Sequence, residues 1–337
     1  MRHILIDTDA GVDDTLALIY ASRSSDVNVE LLTTVSGNVP VKEVTQNVLY
    51  LKELLHWDIE VCSGADVPRS RKLVTAPEVH GDDGVGNYRK THGITFDDWE
   101  TGDAAPRLVA AAKKFRKNLT IVSLGPMTNI ADAVAIDAEA MMGAGRIVQM
   151  GGVFSGYGNT GVHSEFNIFV DPEATDFVLN NGIKIDFVPL DLTELLSMPR
   201  RLFESLTRSP RHDDAEITRL LRKAVRFYAD YHRATDRLDG CFLHDPITVA
   251  AAISPHWFQF VGSSIDVETS GAYTSGVTVA NLRKRARSGN SRIAVSFDAT
   301  SFMKDFAMKV FRRKVSAATV RSECLRERFF PSFSGNL

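Results

Sequence analysis

The stretch ILIDTDAGVDDTLALIYA, residues 4–21, passes from a short apolar run into a helical pattern and carries four aspartates within eight positions. These are Asp7, Asp9, Asp13 and Asp14. The apolar run is nearly continuous, as burial on both faces of a parallel sheet requires. Ligands of parallel sheets bind where loops leave the carboxyl ends of strands. The stretch therefore predicts an acidic site between the first strand and the first helix.

The four aspartates need a partner, because like charges this close repel one another and a helix N-terminus offsets only about 0.3–1 kcal/mol. Ca²⁺ takes six to eight oxygen ligands and lowers the pKa of the carboxylates that bind it, so a hard divalent cation accounts for the cluster. The alternative, helix capping, explains two of the four acids. An EF-hand does not fit, since Leu18 stands where the bidentate glutamate belongs. A phosphatase of the haloacid dehalogenase type has threonine where this chain has Gly11.

Short apolar runs alternate with longer helical patterns along the rest of the chain. This alternation predicts an α/β fold with an open, mostly parallel, Rossmann-like sheet flanked by helices. One domain is predicted over residues 1–312, and 313–337 form a C-terminal tail that fits no obvious element. Further strands are expected after residue 259. The predicted strands are 3–6, 29–35, 119–124, 146–150 and 183–190, and the predicted helices are 13–24, 40–56, 105–117, 128–137, 172–181 and 213–232.

Composition limits the classes of partner. A net charge of −3 over 337 residues gives no electrostatic reason to expect nucleic acid or an anionic membrane as a partner. The basic run RKRAR at 283–287 is interpreted as a solvated hairpin tip. No apolar stretch approaches the roughly 18 residues of a membrane span. Three scattered cysteines predict neither a disulfide framework nor a thiolate metal site, so a reducing cytoplasm is the expected location.

Later segments offer the further groups that a bound cation and a polar ligand need. LGPMTN at 124–129 is a turn with free carbonyl oxygens, EFN stands at 165–167, and His244 precedes Asp245. Each alone is weak, since strand-to-helix turns and helix caps have the same composition. In this order, behind DTDAGVDD, they closely resemble the nucleoside hydrolase family of inosine-uridine preferring and pyrimidine-specific enzymes. The resemblance covers roughly residues 3–310.

The resemblance implies Ca²⁺-dependent hydrolysis of the N-glycosidic bond of ribonucleosides to free base and ribose. On matched positions, the ligands of the cation are Asp9, Asp14, the carbonyl oxygen of Leu124 and Asp245. Asp9 is then the general base that deprotonates the metal-bound water. His244 is the candidate proton donor to the leaving base, with a ring that merely stacks on the base as the alternative.

The same resemblance implies a set of substrate contacts. Phe166 is expected to be a wall of the cleft, and His80, in a Gly-rich loop, to cover the base. Tyr228 and Tyr231 are expected beside the base, although which of these two and His232 touches it stays open, as does the choice of purine or pyrimidine. Asp7 is interpreted as orienting the ligands. The side chains expected to bind the ribose hydroxyls are Asp13, Asn38, Asn159, Glu165 and Asn167.

Two features depart from the simplest interpretation. The family more often has proline where this chain has Ala10, a change expected to loosen the turn without removing a ligand. GYGNTG at 156–161 matches GxGxxG, but a dinucleotide fold requires a helix directly after the third glycine, and the next predicted helix starts at Asp171-Pro172.

The alternative function is a non-catalytic nucleoside- or ribose-binding protein on the same scaffold. It is disfavoured because a mere binding protein has no use for a base that activates water. The resemblance further implies a homodimer or a homotetramer.

Overall fold

A computed structural model of the chain describes residues 2–97, 104–281, 289 and 291–326. Its strands are β1 (Arg2–Thr8), β2 (Val27–Thr34), β3 (Glu60–Ser63), β4 (Leu119–Ser123), β5 (Arg146–Met150), β6 (Ile185–Val188), β7 (Ser197–Pro199), β8 (Gly240–Phe242), β9 (Phe258–Ser263), β10 (Ile265–Val267), β11 (Thr278–Ala280) and β12 (Ser291–Phe297). Its helices are α1 (Val12–Ser22), α2 (Val41–Leu54), α3 (Pro77–His80), α4 (Tyr88–Thr91), α5 (Ala104–Phe115), α6 (Thr128–Met142), α7 (Phe166–Val170), α8 (Pro172–Asn180), α9 (Leu190–Thr193), α10 (Arg200–Thr207), α11 (Ala215–Thr235), α12 (His244–Ile253), α13 (Ala299–Phe311) and α14 (Ala317–Thr319). Short 3₁₀ turns are at Arg116–Asn118, His212–Asp214 and Pro255–Trp257, and a π turn is at Val320–Cys324.

The central sheet has the strand order β3-β2-β1-β4-β5-β6-β12-β9. Every neighbouring pair is parallel except β12 with β9, so the prediction of an open, mostly parallel sheet is confirmed. Strand order reverses between β1 and β4, because the chain runs outward from β1 to β3 and then returns on the other side of β1. Ligands bind at such a switch point, beyond the carboxyl ends of the strands.

Helices cover both faces of the sheet. Alternate residues of β1 show this: Ile4 and Ile6 face a core formed with α1, α2, α11, α12 and α13, whereas Leu5 faces a second core formed with α5, α6 and α8. Burial on both faces explains why the strands of the sheet centre read as continuous apolar runs.

Two helices of the first layer, α1 and α12, are buried almost throughout and pack against each other. Such helices are apolar on all sides, as the sequences TLALIYA and ITVAAAI are. Their first turns, with Asp13 and Asp14 in α1 and His244 and Asp245 in α12, lie together at the switch point. Packing of two apolar helices thus brings two polar helix starts into one place.

Several elements were not predicted or differ from the predictions, among them β3, β6 and α7, and also α10 and α13. Strand β3 has only four residues, EVCS, too few for a recognisable apolar run. The strand predicted over 183–190 ends at Val188, because Leu190–Thr193 form a helical turn. The short helix α7 was not predicted, since FNIFV carries no helical period.

Part of the C-terminal tail packs on the main body. Val315, Val320 and Cys324 are buried in the core beneath α13. The N–H of Arg326 donates a hydrogen bond to the Leu195 carbonyl at 3.0 Å. Residues 327–337 and the predicted hairpin tip at 283–287 lie outside the described residues.

No helix in the described ranges is both long and apolar enough to cross a bilayer. The three cysteines are buried and form no disulfide with one another in this part of the chain: Cys62, Cys241 and Cys324.

Candidate active site

A cleft of about 400 Å³ opens at the carboxyl edge of the sheet, a size typical of small-molecule sites. Aspartates form its floor, and aromatic side chains and histidines form one wall. The predicted site residues that line it are Asp13, Asn38, His80, Leu124, Asn159, Glu165, Phe166, Asn167, Tyr228, Tyr231, His244 and Asp245. Asp9 and Asp14 lie fully buried beneath them.

Asp9 follows β1 and is buried with one unsatisfied carboxylate oxygen. Its Oδ2 accepts a hydrogen bond from the Asn38 N–H at 2.8 Å, but Oδ1 has no partner among the described residues. Burial raises the pKa of Asp9 well above its usual range, and repulsion from Asp14 and Asp13 raises it further. A buried polar atom without a partner is costly, so Oδ1 is where a cation or a donor is expected.

Asp13, Asp14 and Asp245 bring three carboxylates together, with one oxygen of each within 4.8 Å of the others. Burial, and then repulsion from Asp14, raise the pKa of Asp13 to about 8. Burial and repulsion from Asp13 and Asp14 raise the pKa of Asp245 well above its ordinary value. The three closest carboxylates thus include that of Asp13, which the resemblance implies to be a ribose ligand. The charge of Asp13 also repels that of Asp9.

Hydrogen bonds from the motif itself hold Asp14 in place. Its Oδ1 accepts from the Thr8 hydroxyl at 2.5 Å, and its Oδ2 accepts from the Gly11 N–H at 2.9 Å and from Asn38 Nδ2 at 3.3 Å. Because Asn38 contacts Asp9 through its backbone and Asp14 through its side chain, the loop after β2 fixes the spacing of two predicted cation ligands.

The carbonyl oxygen of Leu124 is at the end of β4 and accepts a hydrogen bond from Asn167 Nδ2 at 2.6 Å. A carbonyl oxygen has two lone pairs, so this contact leaves one free for a cation. The following Gly125 packs directly on Asp9, since a Cβ there would lie 3.0 Å from Cγ of Asp9. Close approach of these two strand ends therefore favours a glycine at this position, since any side chain would press on Asp9.

Asp7 faces away from the predicted ligands. Its Oδ1 accepts hydrogen bonds from the Thr33 hydroxyl at 2.6 Å and from Asn129 Nδ2 at 2.7 Å. Burial raises the pKa of Asp7 to about 7, and these two hydrogen bonds oppose the rise. In the described part of the chain, its side chain ties β1 to β2 and α6 and forms no hydrogen bond to a predicted cation ligand.

Ala10 stands at φ = 36°, a left-handed conformation that proline, with φ near about −65°, cannot adopt. The side chain of Asn47 supports this turn by donating a hydrogen bond to the Ala10 carbonyl at 3.0 Å. Alanine therefore permits a backbone conformation that a proline here would exclude, which goes beyond the loosening predicted from the sequence.

Glu165 begins helix α7 and organises the loop before it. Its carboxylate accepts hydrogen bonds from the N–H groups of Asn167, Ile168 and Gly152 at 2.8–3.1 Å. Burial raises its pKa to about 7, although these hydrogen bonds oppose the rise. The cap turns Phe166 and Asn167 toward the cleft, so the EFN signal in the sequence is also a helix-start signal.

The GxGxxG segment contributes to the same cleft and not to a dinucleotide site. Gly158, Asn159 and Thr160 line the cleft, and the side chain of Asn159 accepts a hydrogen bond from the Phe166 N–H at 2.9 Å. The next helix, α7, begins five residues after Gly161, earlier than the predicted start at Asp171 but too late for a phosphate-binding turn.

His80 is held at the start of α1. Its Nδ1 accepts a hydrogen bond from the Val12 N–H at 3.1 Å, and its ring stacks on Tyr228 with the ring centres 5.3 Å apart. Burial, with repulsion from His232, lowers the pKa of His80 to about 3. The Gly-rich loop that carries it is organised by Asp83, which accepts three backbone hydrogen bonds from residues 85–90.

His244 begins α12 beside the carboxylates. Its Nδ1 lies 2.7 Å from the hydroxyl of Thr193, and its ring packs against Phe242 with the ring centres 5.1 Å apart. Burial lowers the pKa of His244 to about 3, and the neighbouring imidazoles lower it further. With this environment the ring is neutral near pH 7.

Helix α11 presents one continuous face to the cleft, and the structure adds residues that the sequence left out. Tyr228, Tyr231 and His232 all line the cleft, and Thr235 and Asp236 follow Tyr231 and His232 one helical turn later. The spacing of 228, 231, 232, 235 and 236 is the helical period, and extending it beyond 232 finds the last two. The lining residues not predicted are Val74, Thr75, Ala76, Glu78, Val79, Met150, Gly158, Thr160, Glu194, Thr235, Asp236 and Phe242.

Comparison with known proteins places this cleft in a family. A family model described as inosine-uridine preferring nucleoside hydrolase matches residues 4–304. The chain belongs to this family. This nucleoside hydrolase is 36% identical over 317 residues to probable uridine nucleosidase 2 of Arabidopsis thaliana, covering 90% of this chain and 95% of that protein. It is 32% identical to a non-specific ribonucleoside hydrolase of Salmonella newport, covering 89% and 94% of the two chains.

Solved structures give the same assignment. The hydrolase matches a plant nucleoside hydrolase with a TM-score of 0.82 and 31% identity, covering 93% of this chain and 99% of that one. It matches a purine-preferring ribonucleoside hydrolase from Gardnerella vaginalis with a TM-score of 0.83 and 28% identity, covering 92% and 98%. The chain is therefore an enzyme that acts on ribonucleosides.

Replacing Gly37 by alanine is expected to lower the activity of the hydrolase by about 10²-fold, since small misplacements of a reacting group have effects of this size. A Cβ at this position would overlap Oδ2 of Asp9 and lie 2.9 Å from its Cγ. Steady-state kinetics of ribose release would measure the loss. Gly156→Ala is the matched control, because its Cβ would meet its nearest atoms at 3.6 Å. Equal activity of both variants would show that the position of Asp9 is not critical.

Proposed function

We propose that this hydrolase binds Ca²⁺ at the floor of the cleft and uses it to hydrolyse the N-glycosidic bond of ribonucleosides. The observation that carries the proposal is the buried, unpartnered Oδ1 of Asp9 beside three further carboxylates with no basic side chain hydrogen-bonded to them in the described chain. All the ligand atoms that these residues offer are oxygens, which suits a hard cation. The residues that would hold it are Asp9, Asp14, Asp245 and the Leu124 carbonyl.

A bound divalent cation acts as a Lewis acid that lowers the pKa of a coordinated water and offsets the charge of the carboxylates. The chain supplies the remaining chemistry. Asp9 accepts the proton of the attacking water, since its Oδ1 has no hydrogen-bond partner among the described residues and a carboxylate can act as a general base. Asp13 accepts a hydrogen bond from the ribose 2′-hydroxyl.

The ribose is proposed to lie between the carboxylates and the loop before α7. Asn159, Glu165 and Asn167 bind its other hydroxyls, and Asn38 keeps the two acids below in register. Cleavage of an N-ribosidic bond passes through a state with positive charge on the sugar. The carboxylate cluster stabilises that charge, and the burial of these side chains strengthens the effect.

The departing base is proposed to lie against the wall formed by Phe166, Tyr228 and Tyr231, with His80 and His244 at its two ends. The resemblance implies that His244 lies beside the base, where its ring either donates a proton or packs on the base. We propose in addition a homodimer or homotetramer in a reducing cytoplasm. The resemblance supports the oligomer, and three buried thiols support the reducing compartment.

Ribose release from inosine, adenosine, guanosine, uridine and cytidine, with chelator-treated enzyme alongside, tests the proposal. We expect release from at least one nucleoside, loss of release on chelation and recovery with Ca²⁺. The 2′-deoxynucleoside is the matched control, expected to react at least about 10²-fold more slowly because Asp13 loses its partner. Release from no nucleoside, with Ca²⁺ demonstrably bound, would leave only a binding protein.

A further inference from the structure

The side-chain amide of Asn47, on α2, joins two segments that are distant in sequence. Its Nδ2 donates one hydrogen bond to the carbonyl oxygen of Ala10 at 3.0 Å and a second to the carbonyl oxygen of Asp83 at 2.6 Å. The first carbonyl belongs to the residue after Asp9, and the second belongs to the Gly-rich loop that follows His80. One buried amide thus links the proposed cation site to the loop expected to cover the base.

The orientation of this amide is fixed from its other side. Nε of Arg89 donates a hydrogen bond to Oδ1 of Asn47 at 3.0 Å, so the amide nitrogen faces the two carbonyls. Arg89 is itself buried and is held by an ion pair with Glu43 and by a hydrogen bond to the Ile94 carbonyl at 2.9 Å. Both donors of the amide are used, so moving either segment away from α2 leaves a buried N–H without an acceptor, which is costly.

The turn at Ala10 needs support of this kind. Its φ of 36° is a left-handed conformation, which is unfavourable for a residue with a Cβ. The residue before it is Asp9, whose Oδ1 has no partner among the described residues, and the residue after it is Gly11, whose N–H donates to Asp14. The direction of the peptide groups in this turn therefore sets where the carboxylate of Asp9 points. A contact that holds the Ala10 carbonyl acts on the cation site through the backbone.

Gly84 brings the loop against the same turn. A Cβ at this position would lie 2.8 Å from Nδ2 of Asn47 and 3.1 Å from the Ala10 carbonyl oxygen. A second link joins the two segments where Nδ1 of His80 accepts the Val12 N–H at 3.1 Å. The loop and the aspartate turn are thus packed together, and Asn47 is the side chain that hydrogen-bonds to both.

We propose that Asn47 is a positioning residue that couples the cation site to the Gly-rich loop; this rests on the proposed function. A cation held by the carboxylates favours one arrangement of the Ala10 turn, and that turn shares the Asn47 amide with residues 81–90. Cation binding therefore orders the loop, and an ordered loop tightens cation binding, since coupling between two sites is reciprocal. Asn47 does not line the cleft, so it acts through the two carbonyls and not on the substrate.

Two measurements on the full-length chain test this coupling. Calorimetry gives the Kd of Ca²⁺, and hydrogen exchange followed by mass spectrometry gives the opening of residues 81–90 with and without Ca²⁺. Asn47→Ala removes both hydrogen bonds. Gln46→Ala is the matched control, because Gln46 is also a buried amide on α2 but forms two hydrogen bonds, at 2.7 Å each, with the backbone of Phe96.

A second pair of variants disturbs the contact from the side of the loop. Gly84→Ala places a methyl group against the Asn47 amide at a position with φ = +82°. Gly93→Ala is its control, since φ there is +62° but a Cβ would have no atom within 4 Å. The difference between these two variants isolates the contact from the cost of a left-handed alanine.

In the wild type, Ca²⁺ is expected to slow hydrogen exchange of residues 81–90 by about 10-fold or more. Asn47→Ala and Gly84→Ala are expected to weaken Ca²⁺ binding by about 10-fold, as the loss of an outer partner of a metal ligand does. In both variants, Ca²⁺ is expected to change the exchange of the loop by less than about threefold. Gln46→Ala and Gly93→Ala are expected to keep the wild-type Kd and the full protection.

Two results would overturn the proposal: an unchanged Kd of Ca²⁺ in Asn47→Ala, or protection of the loop by Ca²⁺ that persists in this variant. A merely structural role gives both, because exchange then rises equally with and without Ca²⁺. If Asn47→Ala does not fold, Gly84→Ala decides by the same two measurements. Ca²⁺ that does not bind the wild type would overturn the proposed cation site together with this coupling, whereas Ca²⁺ that binds without protecting the loop would overturn the coupling alone.

Discussion

Asp9→Asn is expected to lower kcat for ribonucleoside hydrolysis by about 10²–10⁴-fold, the range typical of removing a general base. The change keeps the size of the side chain, and its amide oxygen still accepts the hydrogen bond that Asn38 donates to Oδ2. The amide nitrogen takes the place of the unpartnered Oδ1 and cannot accept a proton. Initial rates of ribose release at saturating substrate, with ribose affinity measured by calorimetry, check the prediction.

The control for this variant is Asp186→Asn. Asp186 is also a buried aspartate, but it lies on β6, where its carboxylate contacts Arg146 and Arg292 at the opposite end of the strands. We expect this variant to keep its kcat within about threefold and to unfold at a lower temperature, since it leaves two guanidinium groups without their partner. If Asp9→Asn keeps wild-type turnover, Asp9 is not the base that accepts the proton of water.

Ca²⁺ is expected to raise the melting temperature of chelator-treated enzyme, and more so at pH 8 than at pH 5. Burial raises the pKa of Asp13 to about 8 and those of Asp7 and Glu165 to about 7, from ordinary values of 3.8 and 4.5. The folded state therefore binds these protons more tightly than the unfolded chain. The associated stability is present below about pH 4 and is lost as pH rises through about 7–8.

At pH 8 the carboxylates have lost these protons, so their negative charge is no longer offset. A cation that binds only the folded state offsets it instead. At a concentration of about 1,000 Kd, such a ligand stabilises by about 4 kcal/mol, which for a chain of this length corresponds to a rise of about 5 °C. Differential scanning calorimetry at the two pH values, with and without Ca²⁺, measures this shift without using activity.

Variants of the cluster separate a specific site from general charge screening. Asp245→Asn and Asp14→Asn are expected to lose the shift caused by Ca²⁺, whereas Asp186→Asn, at the other end of the sheet, is expected to keep it. A shift that is equal in all three variants, or larger at pH 5 than at pH 8, would contradict a cation site at the carboxylates.

Much of the fold was predictable because its signals are local. The apolar run before Asp7 has the continuous pattern of a two-sided strand, and the helix after it starts with the acids that favour a helix N-terminus. The DTDAGVDD motif, with EFN and HDP behind it, was sufficient for the family. Elements with little signal of their own, such as β3 and α7, were found only in the structure, because a few residues do not establish a period.

The sequence by itself thus determined the long central strands, the acidic motif and the family, all of which depend on neighbouring residues. Tertiary structure alone decided which groups meet: Asp245 joins Asp13 and Asp14 because two apolar helices pack side by side, and His80 reaches the start of α1 from a distant loop. The resemblance predicted His232 near the base, but its hydrogen bond with Asp236, and the position of Asp236 in the cleft, were found only in the structure. Periodicity gives the face of a helix, whereas the partner of that face is set by long-range packing.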